Sequence, residues 1–97
     1  MTTIYIVVGS TGEYSDHTEW YVKAFRSKVK AEQFVLDVSA EYRRLCPDDE
    51  STYDFMQMVA YEDPHRPENK LDPNMKVDYT GVNYNVYAVP FDEEDAP

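Results

Sequence analysis

The chain has 97 residues, enough for one domain with a single modest core. Apolar residues make up 42% and charged residues 29%, as in an ordinary globular protein, and nine tyrosines argue against disorder. The net charge of −10 disfavours direct binding of DNA, RNA or an anionic membrane, because those surfaces attract lysine and arginine.

The acidic excess lies entirely in the second half of the chain. Residues 1–45 hold six acids and six bases and sum to zero, whereas residues 46–97 hold thirteen acids and three bases. Such asymmetry is typical of an interaction surface or an acidic tail. We therefore expect the protein to work by binding a basic surface on another protein.

Cysteine content and hydropathy indicate the compartment. Cys46 is the single cysteine, so an internal disulfide is impossible and a reducing cytoplasm is expected. The apolar start, residues 1–9, has no basic region or cleavage site of a signal peptide. No apolar run approaches the roughly 20 residues that cross a bilayer.

Two strands come first in chain order. Residues 4–8 form a β-branched and aromatic run that predicts a strand buried on both faces, followed by a loop at residues 9–12. Residues 19–25 predict a second strand. Its alternation places two sets of side chains on opposite faces: Trp20, Val22 and Ala24 on one, and Tyr21, Lys23 and Phe25 on the other.

A long amphipathic helix is predicted over residues 28–45. Ser27 can cap its start, Arg43 and Arg44 suit the dipole of its last turn, and Pro47 ends it. Apolar side chains recur at helical spacing on one face: Ala31, Phe34, Val35, Val38, Tyr42 and Leu45.

The second half is less regular. Residues 49–60 predict a second helix with Phe55, Met56 and Val59 inward, although residues 53–61 also fit a strand. Residues 62–78 hold three turn pairs with proline and predict a long polar loop, which is usually functional or disordered at such a length.

The last strand is predicted over residues 82–91. Its two faces are Tyr84, Val86 and Ala88 on one side, and Asn83, Asn85, Tyr87 and Val89 on the other. The order β-β-α-(α)-β favours an α+β fold, a small antiparallel sheet of about three strands with one long helix packed on one face. Residues 1–91 form the single predicted domain, and residues 92–97 an acidic tail.

No pattern in the chain supports catalysis. The segment from Gly9 to Gly12 lacks the following helix and the lysine of a phosphate loop. Ser15, Asp16 and His17 are sequence neighbours, whereas a hydrolase triad is assembled from separate elements. Two histidines and one cysteine cannot form a four-ligand zinc site, and the spacing from Asp72 to Asp78 lacks an EF-hand's glycine and glutamate. We therefore expect no catalytic residue, cofactor or metal.

Charge density bears on DNA mimicry. A compact domain of this length has a radius of gyration of about 12–13 Å and a diameter of roughly 32 Å. Duplex DNA of that length carries about 19 charges. Thirteen acids gathered on one side come close enough to compete for a basic groove, so mimicry requires that the second half present its acids together.

Two segments resemble small phage-encoded proteins. The first runs from Ile4 to Trp20 through a Tyr-Ser-Asp loop, and the second from Asp72 to Gly81, followed by Tyr84 and Val86. Over its full length the chain closely resembles the tenth-numbered family of type I-F anti-CRISPR proteins.

This resemblance implies a phage or prophage inhibitor, not an enzyme, that acts in the cytoplasm of the host bacterium. It implies a DNA mimic that binds the Csy surveillance complex near its tail, where the large subunit and the adjacent backbone subunit receive target duplex DNA. RNA-guided complexes grip DNA through lysine and arginine contacts to phosphates, which carboxylates can occupy. We expect a monomer.

Charge clustering identifies the candidate partner-binding acids, which lie at the second helix and along the loop: Asp48, Asp49, Glu50, Asp54, Glu62, Asp63, Glu68, Asp72 and Asp78. Helix capping and turn formation ahead of proline are the alternative roles for several of them. The alternative function is a generic interaction module that uses an aromatic patch such as Tyr79, Tyr84 and Tyr87, with an unknown partner.

Overall fold

The computed structural model describes residues 2–13, 15, 17–47, 49–78 and 80–92, and of residues 49–51 the backbone alone. The elements in order are β1 (Thr2–Thr11), β2 (Thr18–Phe25), α1 (Lys28–Leu45), α2 (Asp49–Ala60) and β3 (Val82–Phe91). This confirms the predicted α+β fold. Residues 53–60, which also fitted a strand, are helical.

The strands form one antiparallel sheet in the order β2-β1-β3. The predicted loop at residues 9–12 is wrong for its first three residues. Gly9, Ser10 and Thr11 pair with β2 on one side and with β3 on the other, so β1 runs on to Thr11. The turn begins at Gly12, whose φ of 86° suits glycine.

Gly9 is required by a close approach, not by its backbone angles. It pairs with Trp20, and a Cβ at Gly9 would lie 2.5 Å from the indole ring. Because real Cβ atoms do not come so close, the absence of a side chain at Gly9 leaves the space that the Trp20 ring occupies.

A β-bulge in β2 changes which side chains face α1. Val7 pairs with Lys23 and Val8 with Tyr21, so Val22 has no partner in the register. Beyond the bulge Phe25, and not Ala24, joins Trp20 on the core side, which corrects the predicted alternation.

The core lies between the sheet and α1, the long helix that the sequence predicts. Its buried members come from all four elements that meet there: Val7, Trp20, Ala31, Val38, Val82 and Tyr84. Ser27 caps α1 by accepting a hydrogen bond from the Lys30 amide at 3.2 Å, and the helix spans the predicted residues. Burial of this apolar surface is the main stabilising contribution to the fold.

On the other face of the sheet, no helix of the described residues packs broadly over the strands, and several side chains are exposed although Val8 is buried. Tyr5 and Val7 of β1 pack on the core beneath α1, so the alternate residues Ile4, Ile6 and Val8 point to the other face. Directly paired residues share a face, so the β2 and β3 partners of these three residues also lie on that face. We call this surface the open face, and its apolar residues are Ile4, Ile6, Val8, Tyr21, Ala24, Tyr87, Val89 and Phe91. The prediction that β1 is buried on both faces is confirmed at Val7 and Val8, and it is wrong for Ile4 and Ile6, which are half-buried.

The molecule is longer than the compact estimate. Its radius of gyration is 15.3 Å and its extents are 48 × 27 × 24 Å. Strands of ten residues and an 18-residue helix account for part of this length. Neither helix in the described part of the chain has the length and apolar character of a membrane-crossing segment.

Candidate acidic interaction surface

The end of α2 places the first acids of the loop. The Glu62 amide donates to the Val59 carbonyl at 3.1 Å and the Asp63 amide to the Met58 carbonyl at 2.9 Å. These two bonds form a Schellman motif, in which the residue after the helix adopts a left-handed conformation. Glu62 occupies that position with a φ of 53°, where glycine is usual.

The loop that follows α2 brings three of the candidate acids together. Glu62, Asp63 and Glu68 line a shallow concavity of about 450 Å³ with Pro64 and Arg66. The three carboxylates and one guanidinium give this concavity a local net charge of −2. We call it the acidic concavity.

Asp54 lies on the neighbouring part of the same side. It lines a second concavity together with Phe55 and Pro67, and those two residues also border a third concavity that includes Glu68. Asp54 is exposed. The structure therefore brings four of the nine candidate acids, Asp54, Glu62, Asp63 and Glu68, to one side of the molecule.

Three of these acids have no ion-pair partner among the described residues. Within the described ranges, no lysine, arginine or histidine forms an ion pair with Asp54, Glu62 or Glu68, and all three are exposed. The Asp63 carboxylate instead accepts a hydrogen bond from the His65 amide at 2.8 Å. This bond makes Asp63 the turn residue that the alternative role predicted, while it still lines the acidic concavity.

Asp72 is not a surface acid, and its prediction as a partner-binding residue is wrong. Its side chain is 1% exposed. One carboxyl oxygen, Oδ2, accepts hydrogen bonds from Trp20 Nε1 at 2.7 Å and from the Tyr84 hydroxyl at 2.9 Å. Asp72 thus fastens the loop to β2 and β3 on the side of the sheet that faces α1.

The Asp72 contact has an electrostatic consequence for Tyr84. Burial raises the pKa of the Tyr84 phenol far above its ordinary value, and the charge and hydrogen bond of Asp72 raise it further. Tyr84 is 8% exposed, so it cannot form part of the predicted aromatic patch.

Asn69 builds the turn that delivers Asp72. Its side-chain oxygen accepts hydrogen bonds from the amides of Leu71 at 3.0 Å and Asp72 at 3.2 Å, and the residue is 2% exposed. Neither the role of Asn69 nor the burial of Asp72 was predicted from the sequence. Polar residues in a proline-rich loop predict solvent exposure, and the only signal for a buried acceptor was the need of a core tryptophan for a partner.

Asp78 serves a turn near the end of β1. Its amide donates to Thr11 Oγ1 at 2.9 Å, and its carboxylate accepts from the Thr80 amide at 3.2 Å. Asp78 is half-buried and does not line the acidic concavity. The turn role explains its position better than partner binding does.

Several predictions fall outside the described residues. Asp48 and the tail from residue 93 onward lie outside them, as do the side chains of Asp49 and Glu50. Tyr79 of the aromatic patch also lies outside, so within the described chain only Tyr87 of that patch is exposed.

The thiol of Cys46 and the imidazole of His17 are engaged in contacts within the fold. Cys46 is buried, and burial raises the pKa of its thiol despite a hydrogen bond with Thr52, which disfavours the nucleophilic thiolate. His17 contacts the Gly12 carbonyl and the Glu19 carboxylate across the β1–β2 turn. Among the residues that can be described, no three histidine, cysteine or acidic side chains gather as metal ligands.

No protein-family model matches the chain, and no match was found among curated proteins or solved structures.

Proposed function

We propose that the protein inhibits a bacterial type I-F CRISPR surveillance complex by mimicking target duplex DNA. In this proposal its acids occupy the basic site near the tail of the complex, at the large subunit and the adjacent backbone subunit. The protein catalyses no reaction and binds no nucleic acid itself. Inhibition follows from occupancy, because DNA and the protein compete for the same lysine and arginine side chains.

The observation that carries the proposal is the segregation of charge. Residues 1–45 are neutral, and the second half holds the whole excess of −10. Asp54, Glu62, Asp63 and Glu68 lie on one side of the fold, and three of them have no cationic partner among the described residues. An unpaired carboxylate in water loses less on binding a new cation than one that must first leave an ion pair.

The length of the molecule bears on what kind of mimicry is feasible. A duplex as long as its 48 Å axis carries about 28 charges, far more than the protein has. The acids therefore match a few phosphates at defined places and do not reproduce the whole duplex. In this account, affinity depends on a small number of contacts at the acidic concavity.

Paired charge reversals test the proposal. The double variant Glu62→Lys/Glu68→Lys removes two acids of the acidic concavity. It places two ammonium groups opposite the basic site of the surveillance complex, where they would be repelled. Each lost charge contact at a desolvated interface costs about 2–5 kcal/mol, so binding to the purified complex, followed by interferometry, should fall below detection.

Glu13→Lys/Glu32→Lys is the matched control. It makes the same change in total charge at two exposed acids of the neutral half. Its binding should fall only slightly, through weaker long-range attraction. Equal losses in the two double variants would show that net charge alone acts and would contradict a defined acidic site.

The open face favours a second candidate function, an interaction module that binds through an apolar and aromatic patch. Tyr21 and Tyr87 are exposed on this face, and they replace the predicted patch in which Tyr84 is buried. Binding of this kind is insensitive to salt and is lost when Tyr21 and Tyr87 are changed to alanine. Charge reversals at the acidic concavity would then be harmless.

A further inference from the structure

We propose that the open face pairs with the open face of a second copy, so that the protein forms a weak homodimer through its sheet. This inference goes beyond the proposed function and replaces the expectation of a monomer. Two sheets packed in this way form a sandwich whose inner faces lie about 10 Å apart.

The open face exposes an unusual amount of apolar side chain. Tyr21 is 78% exposed, Tyr87 46%, Phe91 44% and Val89 41%. Together with the half-buried Ile4 and Ile6 they form one continuous surface, because all lie on the same side of three adjacent strands. Contiguous apolar patches of this extent on soluble proteins usually mark an interaction site.

The low charge of the open face indicates which kind of partner can bind there. In the registers that the structure describes, the charged residue on this side is Glu19, which lies at one end beside His17. The face offers no lysine or arginine to a phosphate or lipid headgroup, and almost no acid to a basic protein. A second copy presents the same nearly neutral, apolar surface and so fits it.

The acidic side of each copy would point away from the pairing surface. Asp72 is bonded to Trp20 and Tyr84, on the face of the sheet that α1 covers. Glu68 lines a concavity with Met75, which packs on the core on that same covered side. Pairing through the open face thus leaves Glu68 and the acidic concavity that it lines directed away from the pairing surface.

The area of the face predicts a weak dimer. Three strands of up to ten residues span about 33 Å by about 14 Å, or roughly 450 Å² per copy as a flat area. Two copies bury roughly 900 Å² before surface roughness is counted, which is near the lower limit of specific interfaces. We therefore expect a dimer that forms in the micromolar range and dissociates on dilution.

Sedimentation equilibrium of the wild-type protein alone tests the proposal. The fraction of dimer should rise between about 5 and about 500 μM protein. It should also rise with salt, because screening reduces repulsion between two chains of charge −10. This sign is opposite to that expected for binding to the surveillance complex, so the two kinds of association are distinguishable.

A pair of matched variants locates the interface. Tyr21→Lys places a charge on the open face in β2, beside Val8 of the central strand, and Tyr61→Lys makes the same change at a site after α2 that is 81% exposed. Dimerisation should weaken by roughly tenfold or more in the first and stay unchanged in the second. Because Tyr21 is largely exposed, circular dichroism should show both variants folded.

Two results would overturn the proposal. The first is a monomer at every concentration and salt level. The second is a dimer that withstands Tyr21→Lys and Val89→Lys but is lost in Leu36→Lys, since Leu36 is exposed on α1 and would then mark a different interface. Both measurements omit the surveillance complex, so their failure leaves the proposed function untouched.

Discussion

Asp72 is the residue on which the loop depends. A buried polar group needs partners, and its oxygen has two donors, Trp20 Nε1 and the Tyr84 hydroxyl. The contact joins a loop without regular secondary structure to two different strands. Its loss therefore weakens the attachment of the whole acid-bearing segment and does more than remove one side-chain bond.

Tyr84→Phe measures this contact. The variant keeps the aromatic ring but removes one of the two donors to Asp72, so the free energy of unfolding should fall by about 1–3 kcal/mol in urea titrations. Tyr87→Phe is the control, because Tyr87 is 46% exposed, and it should change stability by less than about 0.5 kcal/mol. Equal stabilities of the two variants would contradict the role given to Asp72.

The raised pKa of Tyr84 predicts a pH dependence in alkali. The ordinary pKa of the phenol is 10.0, and in the folded protein it is higher. Above pH 10 the unfolded chain loses this proton while the folded chain keeps it, so stability is full below that pH and falls as the pH rises.

The limiting slope for this one group is about 1.4 kcal/mol per pH unit. The decline with pH should be shallower in Tyr84→Phe and unchanged in Tyr87→Phe, as measured by urea titration between about pH 9 and pH 11. A decline of equal slope in wild type and Tyr84→Phe would show that the phenol is not held neutral by burial and Asp72.

At the scale of elements, the residue that ends α2 is both strained in its backbone and a candidate partner-binding acid. Glu62 adopts a left-handed conformation, which costs a residue with a Cβ roughly 1–2 kcal/mol. Glycine avoids that cost but loses roughly 0.5–1 kcal/mol of backbone entropy on folding. A left-handed acid at this position is therefore not accounted for by stability, and we expect its carboxylate to serve the proposed binding of a partner.

Glu62→Gly separates these two effects. From the difference between the two costs, we expect it to stabilise the protein by up to about 1.5 kcal/mol while it weakens binding to the surveillance complex. Thermal unfolding and interferometry measure the two quantities on the same sample. A variant that is more stable and binds as well as wild type would remove Glu62 from the interface.

Elements with local signals were predictable from sequence, and those set by distant contacts were not. The bounds of α1 follow from Ser27, the apolar spacing and Pro47, which are all local. The extension of β1 to Thr11 depends on pairing with β3, about seventy residues away in sequence. The bulge at Val22 likewise has no local sequence signal, because alternation alone predicts a regular strand.

In the candidate site, too, some features were predictable from the sequence and others depend on distant contacts. Segregation of acids into the second half was visible in the sequence, and so was the turn role of Asp63. The burial of Asp72 was not, because it results from the approach of the loop to Trp20 and Tyr84. Charge clustering finds a region, whereas the fold decides which of its acids reach the surface.

At the scale of the whole molecule, the two sides of the sheet have different properties. One side carries α1, the core and the loop that ends in Asp72, and the other is the apolar open face. Glu62 and Glu68 of the acidic concavity are exposed, and long-range attraction to a basic partner acts first on such groups. The proposed inhibition and the proposed dimer therefore use separate surfaces with opposite responses to salt.

An order-of-addition gel shift tests the central claim most directly. Purified type I-F surveillance complex receives labelled target duplex, with the protein added either before or after the DNA, at two salt concentrations. We predict that prior addition abolishes the shift and that higher salt weakens the block, because the two ligands compete for the same cations. A duplex that still shifts in the presence of saturating protein would contradict DNA mimicry.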